Sequence, residues 1–306
     1  MATENLGATI ARRRLRLRLR KLREENQYTL EQVRRGMEWS ISKLVRIESG
    51  FVSIAANDLR YLLDYYGVTD ADEVREMLEL ARQARQHHWA GEHRDLLTPA
   101  YMEFLGYEDA AVRASHFHPL YVPGLLQTPA YAHAIIEATA TTELHPDEIA
   151  SRVKIRQQRQ ARVLGRLDAS QLRVAIDESA LRRTLGNIEI MREQLQHLIQ
   201  ILERDLATIV VVPDTSDGHI GMNGPFSILE FSSPEDASIV YLDNARNDTA
   251  FVDEKSAVSK YKATFENLRR TADRYGDAGQ SLTEMLESIS GQTTSLTMRP
   301  VARPGL

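Results

Sequence analysis

The stretch Thr29–Gly50, TLEQVRRGMEWSISKLVRIESG, contains two short helices and the turn between them, and its reading decides the fold of the N-terminal part of the chain. Thr29 is an N-cap residue type, and Gln32 stands three places on, at the capping-box position. Leu30, Val33 and Met37 then keep helical spacing, until the pattern breaks at Glu38–Trp39. Ser40 is a second cap. It opens a helix over Ile41–Ser49, which Gly50 stops. Leu44 and Ile47 make the apolar underside of that helix, with Trp39 packing just ahead of it.

Outward from this core, Ala11–Glu25 reads ARRRLRLRLRKLREE, with Leu15, Leu19 and Leu22 on one helical face and Leu17 off it. The local Leu/Arg alternation also fits a strand; length and helix propensity favour a helix. Further helices are expected at about Ala55–Tyr66, closing at Gly67, and about Ala71–His88, with Val74, Met77, Leu78 and Ala81 on one face. Four or five short helices, two of them joined by a tight turn, form the arrangement that places a recognition helix in the major groove of DNA. On that reading Ser42, Lys43 and Arg46 face outward. The planar fork of Arg46 suits guanine O6 and N7. Ser40 and Ser42 are short enough to bond a phosphate or a base edge, and Lys43 is expected on a phosphate, which positions without specifying. Charge agrees: residues 1–66 carry 13 Lys and Arg against 8 Asp and Glu, whereas the whole chain has a net charge of −5. A basic module joined to an acidic one points to a polyanionic partner for the first part only.

In LRKLREENQYTLEQV and WSISKLVRIESG the sequence resembles the Xre (lambda-repressor-like) helix-turn-helix family. The resemblance implies that Glu48 pairs with Arg23 of the first helix, and that Ile41, Ser42 and Arg46 face the groove. Where many relatives carry a DNA-touching glutamine at the start of the second helix, this chain has Leu30. Gln32 is therefore expected at most on a phosphate. Arg23 is expected chiefly as a structural clamp that can also orient towards a phosphate. The run Arg12, Arg13, Arg14, Arg16, Arg18, Arg20 is expected to divide between backbone contacts and plain solvation, about half each.

The remaining chain alternates helical stretches near Pro99–Leu105, Pro129–Ala138, Pro146–Leu164, Ile188–Asp205 and Ser256–Arg274 with β-rich runs. The runs are Ala114–Phe117, Leu172–Ile176, Thr208–Val212, Phe226–Phe231 and Ser238–Leu242, and the glycine-rich Gly218–Pro225 reads as a hairpin turn. The fold class is thus an all-α helix-turn-helix domain followed by an α+β domain with a mainly antiparallel sheet. The expected divisions are 1–68 for the helix-turn-helix domain, 69–94 for a helical connector, 95–285 for the α+β domain and 286–306 for a disordered tail. YVPGLLQTPAYAHAI, with RQQRQARVL, AIDESALRRTLG, MREQLQHLI and GPFSILEF, resembles the C-terminal domain of a large actinobacterial regulator family. That domain, long described only as one of unknown function, is now termed antitoxin-like. The resemblance implies a small partner protein encoded by an adjacent gene, and no catalytic residues.

Chemical candidates in this part weigh towards structure. His87, His88 and His93 point apart on a helix rather than towards one metal. His116 and His118 share a strand face with no carboxylate in evidence. Asp177 and Glu178 fit capping before catalysis. Arg152, Lys154, Arg156, Arg159 and Arg162 read as a solvated helix. The chain has no cysteine, which excludes disulfides and thiolate chemistry. It has no apolar run of membrane-spanning length, and the basic N-terminus leads into a Leu/Arg alternation rather than a leader peptide. The expectation is a cytoplasmic, dimeric regulator of a double-stranded DNA operator, not an enzyme, with no cofactor and no membrane partner. Its input is a small partner protein. The alternatives are a small-molecule effector, or an antitoxin role in which DNA binding is autoregulatory.

Overall fold

The computed structural model describes residues 7–50, 52–214, 224–243 and 250–297. The chain forms two compact units, divided between Ala110 and Ala111.

The first unit contains α1 (Ala8–Glu25), α2 (Leu30–Gly36), α3 (Ile41–Glu48), α4 (Ala56–Tyr65), α5 (Ala71–Gln83), a 3-10 turn (Trp89–His93) and α6 (Pro99–Ala110). Leu15, Leu19 and Leu22 of α1 meet Val33, Leu44, Ile47, Leu59, Leu62 and Leu63 in one buried core. Met77, Leu80, Ala81 and Ala84 join the same core, so α5 belongs to the domain rather than linking it to the next, and it ends at Gln83 instead of His88. The first compact unit runs on through α6, which packs closely on α1. A Cβ on Gly106 would lie 2.0 Å from Thr9 Oγ1, so only glycine fits there.

The arginine run also differs from expectation. Arg12 donates to the Ala84 carbonyl at 3.1 Å, Arg13 is buried, Arg16 donates to the Ser49 carbonyl at 3.1 Å, and Arg18 bonds Glu73. Only Arg20 of the six is exposed, in an i,i+4 pair with Glu24. The reason is that α1 is the central helix of the unit. Its leucines fill the core, and its arginines reach around them to neighbouring helices.

The second unit carries β1 (Arg113–His118), α7 (Pro129–Thr139), α8 (Pro146–Leu164), β2 (Leu172–Asp177), α9 (Glu178–Arg182), α10 (Ile188–Glu203), β3 (Thr208–Val212), β4 (Phe226–Glu230), β5 (Ile239–Leu242), β6 (Ala250–Val252), α11 (Lys255–Tyr275) and α12 (Ala278–Thr297). The strands form one sheet in the order β3-β2-β1-β4-β5-β6. β1 and β2 are parallel, as are β2 and β3; the other three pairings are antiparallel. The expected α+β class holds, with a mixed sheet.

No hairpin joins β3 to β4: two strands stand between them. Glycine content marks a turn but does not say which strands become neighbours, and residues 218–223 of that turn lie outside the described residues. The tail expected to be disordered from 286 is helical as far as Thr297. Leu282 and Met285 are buried and Leu286 and Ile289 half-buried, a helical period that the Ser/Thr-rich composition conceals. Residues 298–306 lie outside the described residues. One sheet face, with Phe117, Ala175, Phe226, Ile228 and Val240, packs on Val258, Phe265 and Leu268 of α11. The opposite face is apolar on β2 and β3, at Val174, Ile176 and Ile209, but carries His116, His118 and Ser227 on β1 and β4.

Candidate nucleic-acid interface

α2 and α3 are joined by Met37–Ser40, with Glu38 in the left-handed region at φ 54°. Both helix starts are capped as expected. Thr29 and Gln32 bond reciprocally, and Ser40 Oγ accepts from the Lys43 amide at 3.1 Å. The Oε1 of Gln32 is thus occupied by Thr29, which leaves its amide NH2 as the group it can offer to a phosphate. Gly36 lets α2 approach α4: a Cβ there would lie 2.2 Å from the Tyr65 ring, whose hydroxyl donates to the Gln32 carbonyl.

Leu44 and Ile47 anchor α3, and two arginines of α1 clamp its C-terminal end. Arg23 donates to both Glu48 oxygens, at 2.8 and 3.0 Å, and to the Tyr28 carbonyl at 3.1 Å. Arg16 holds the Ser49 carbonyl. The Glu48 hydrogen bonds raise Arg23 above the usual guanidinium range, against the opposing effect of burial. Beside them the buried Tyr66 phenol is pushed up by desolvation first and by Glu48 second. Arg23 is 13% exposed, so its role here is the clamp.

What α3 leaves outward is Ile41, Ser42, Val45 and Arg46, one continuous face. Among the described residues, no hydrogen bond or ion pair holds the Arg46 guanidinium. Lys43 sits on the flank instead. Its ammonium pairs with Asp58 of α4 at 2.8 Å and lies 4.1 Å from the Trp39 ring centroid. Val45, 44% exposed like Ile41, was not singled out from the sequence. The available signal was its place four residues after Ile41 and off the Leu44–Ile47 stripe. This face combines one forked donor, one hydroxyl and two aliphatic groups, the set that matches guanine, phosphate or base-edge oxygens, and the thymine methyl.

The other candidates separate. His88 and Trp89 converge on Asp109, at 3.0 and 2.8 Å. Asp177 caps α9, and Glu178 pairs with Arg182. Among the described residues, no group of three or more His, Asp or Glu is placed to hold a metal ion, and no helix is long and apolar enough to cross a membrane. The basic stretch on α8 is not uniformly solvated: Lys154 and Arg162 are exposed, whereas Arg159 is buried and Arg156 half-buried.

Two family models match the chain. One, described as a helix-turn-helix domain, covers residues 14–77 and so reaches into α5. The other, described as a domain of unknown function (DUF5753), covers residues 101–284. No curated protein and no solved structure matches.

Proposed function

The chain belongs to the family of the domain of unknown function (DUF5753), here preceded by a helix-turn-helix domain, and from that premise we propose that it is a sequence-specific, DNA-binding transcriptional regulator. The observation that carries this reading is the outward face of α3, with Arg46 unengaged while every neighbouring basic side chain named above is tied to a protein group. The Xre-like resemblance supports Arg46, Ser42 and Ile41 as base readers, with Ser40, Lys43 and Gln32 on the backbone. One helix-turn-helix buries little surface, so a dimer on paired half-sites about one DNA turn apart supplies the specificity. The second unit is the input domain of a cytoplasmic, actinobacterial regulator and acts by binding rather than catalysis. Its acidic side chains at the end of β2 are used as a cap and an ion pair. The antitoxin-like resemblance supports a small protein from an adjacent gene as one input.

The test is selection of bound duplexes from a random library, followed by titration of the recovered site. Arg46→Ala should cost about 1–3 kcal/mol and relax base choice at one position. Lys43→Ala should weaken all sequences alike. Equal loss on selected and random duplexes for Arg46→Ala refutes the assignment.

A further inference from the structure

β3, with the sequence TIVVV, is an edge strand of the sheet and pairs with β2 on one side. Among the described residues, no backbone hydrogen bond joins Thr208–Val212 to anything beyond that ladder. The amides and carbonyls on the outer side of β3 therefore form an open row, which another strand can read. Natural edges are commonly blunted by a lysine, a proline or a bulge. β3 has none of these: it pairs with β2 residue for residue, and four of its five side chains are branched aliphatics. Such a sequence favours strand pairing.

Two cavities, of about 300 and 500 Å³, lie along this edge and share Val211, Ala272 and Gly276. The first runs beside Thr208–Val211, between Asp205 at the end of α10 and the turn from α11 into α12. The second lies past the carboxyl end of β3, at Pro213, between Tyr275 and Met285 of α12. Three carboxylates line each cavity: Asp205, Asp273 and Asp277 in the first, Glu178, Asp214 and Glu284 in the second. The lining includes one cation, Arg182, which Glu178 already holds. Asp273 is met by Arg269. Among the described residues, no ion pair joins Asp205, Asp277 or Glu284. Tyr275 is 59% exposed, so its ring face is available to a cation as well.

We propose that the outer edge of β3 receives a short extended segment of a partner protein, with lysine or arginine at alternate residues, as a seventh strand of the sheet. Main-chain hydrogen bonds to β3 supply the affinity, and the two cavities select basic side chains through their carboxylates. A second copy of this chain fits poorly. Pairing β3 with its own counterpart about a twofold axis brings one acidic groove against another, and like charges repel. The inference rests on the second unit being the input domain of the proposed regulator and names the chemistry of that input. Its test needs no DNA, and the test of the α3 face needs no peptide, so the two can fail separately.

The experiment is an anisotropy titration of the full-length protein with a fluorescein-labelled octapeptide of alternating lysine and valine, alongside hydrogen exchange over Thr208–Val212. One control peptide replaces lysine by glutamate. The other is the lysine–valine peptide N-methylated at every amide, which keeps the charge and removes the main-chain donors. Saturable binding of the unmethylated lysine–valine peptide alone, with slowed exchange across Thr208–Val212, is expected. Asp205→Asn, Asp277→Asn and Glu284→Gln combined should weaken binding about tenfold or more, whereas Glu143→Gln, exposed ahead of α8, should not. Asparagine tolerates the left-handed backbone at position 205, φ 54°, and can still accept from the Gln280 amide at position 277. If the combined variant unfolds, the three peptides on the unmodified protein still decide the matter. No saturation, equal binding of the methylated or the glutamate peptide, or unchanged exchange at β3 would overturn the proposal. So would slowed exchange at β3 that grows with protein concentration and needs no peptide, which assigns the edge to a second copy.

Discussion

Replacing Glu48 by leucine tests how α3 is held. Arg23 and Glu48 are only 13% and 10% exposed, so the guanidinium left behind can be rehydrated only in part. Breaking a buried pair costs about 3–5 kcal/mol because a desolvated charge loses its partner. Arg23 keeps its bond to the Tyr28 carbonyl, which places the expected loss near the lower end, about 3 kcal/mol. Arg23→Met combined with Glu48→Leu removes both charges, and it should recover most of that loss. The coupling between the two sites is then about 2–3 kcal/mol. The molecule supplies its own reporter, since both tryptophans, Trp39 and Trp89, lie in the first unit. Urea unfolding followed by tryptophan fluorescence therefore reads that unit alone. The midpoint should fall in Glu48→Leu and return in the double variant, with the slope unchanged. A Glu48→Leu loss below about 0.5 kcal/mol, or a double variant no better than the single, refutes the clamp, since surface pairs lie in that range.

Three further outcomes are expected. Gly36→Ala should destabilise the first unit: about 1–3 kcal/mol of overpacking against the Tyr65 ring exceeds the roughly 1 kcal/mol gained in helix propensity. Adding Tyr65→Ala should relieve the clash in the same fluorescence assay. Val45→Ala should reduce the preference for thymine at one operator position, and it should no longer distinguish thymine from uracil there when binding is followed by anisotropy. The second unit should lose stability as pH falls below about 6.5. His116 and His118 are kept neutral in the fold but protonate near their ordinary value once unfolded, so the unfolded state takes up more protons over the interval down to about 3. Circular dichroism melts across this range should show the loss, and His116→Gln should make it shallower.

Local signals carried much of this structure. Thr29 with Gln32, and Ser40, marked helix starts, and each caps as read. Pro146 and Gly165 bracket α8, whose expected and observed limits coincide. Caps are legible because they involve residues three or four apart. The arginines of α1 were not, since local charge does not say whether a side chain meets water or a carbonyl such as that of Ala84, 72 residues away. Sheet order was equally out of reach, because strand pairing is decided between distant segments, as in β1 against β2. β6, α9 and α12 are short or polar enough to lack a clear period. At the interface, the apolar underside of α3 was plain from Leu44 and Ile47. Asp58 taking Lys43 depends on where α4 packs, whereas the outward place of Val45 follows from its position off the Leu44–Ile47 stripe.

The Lys43–Asp58 pair has a consequence for how binding responds to ionic strength. A lysine surrounded only by water and diffuse ions releases about one bound counterion from DNA when it neutralises a phosphate. Here the lysine must first leave Asp58, and the abandoned carboxylate recruits a cation from solution, so the exchange nearly cancels. Arg16, Arg18 and Arg20 are likewise each paired with a carboxylate within the chain, and Arg34 and Arg35 share Glu31. A domain with thirteen basic residues thus behaves thermodynamically as though it had only a few. Its grip on an operator weakens far less steeply with added salt than its formal charge implies, and discrimination is left to the shape and chemistry of one narrow helical face.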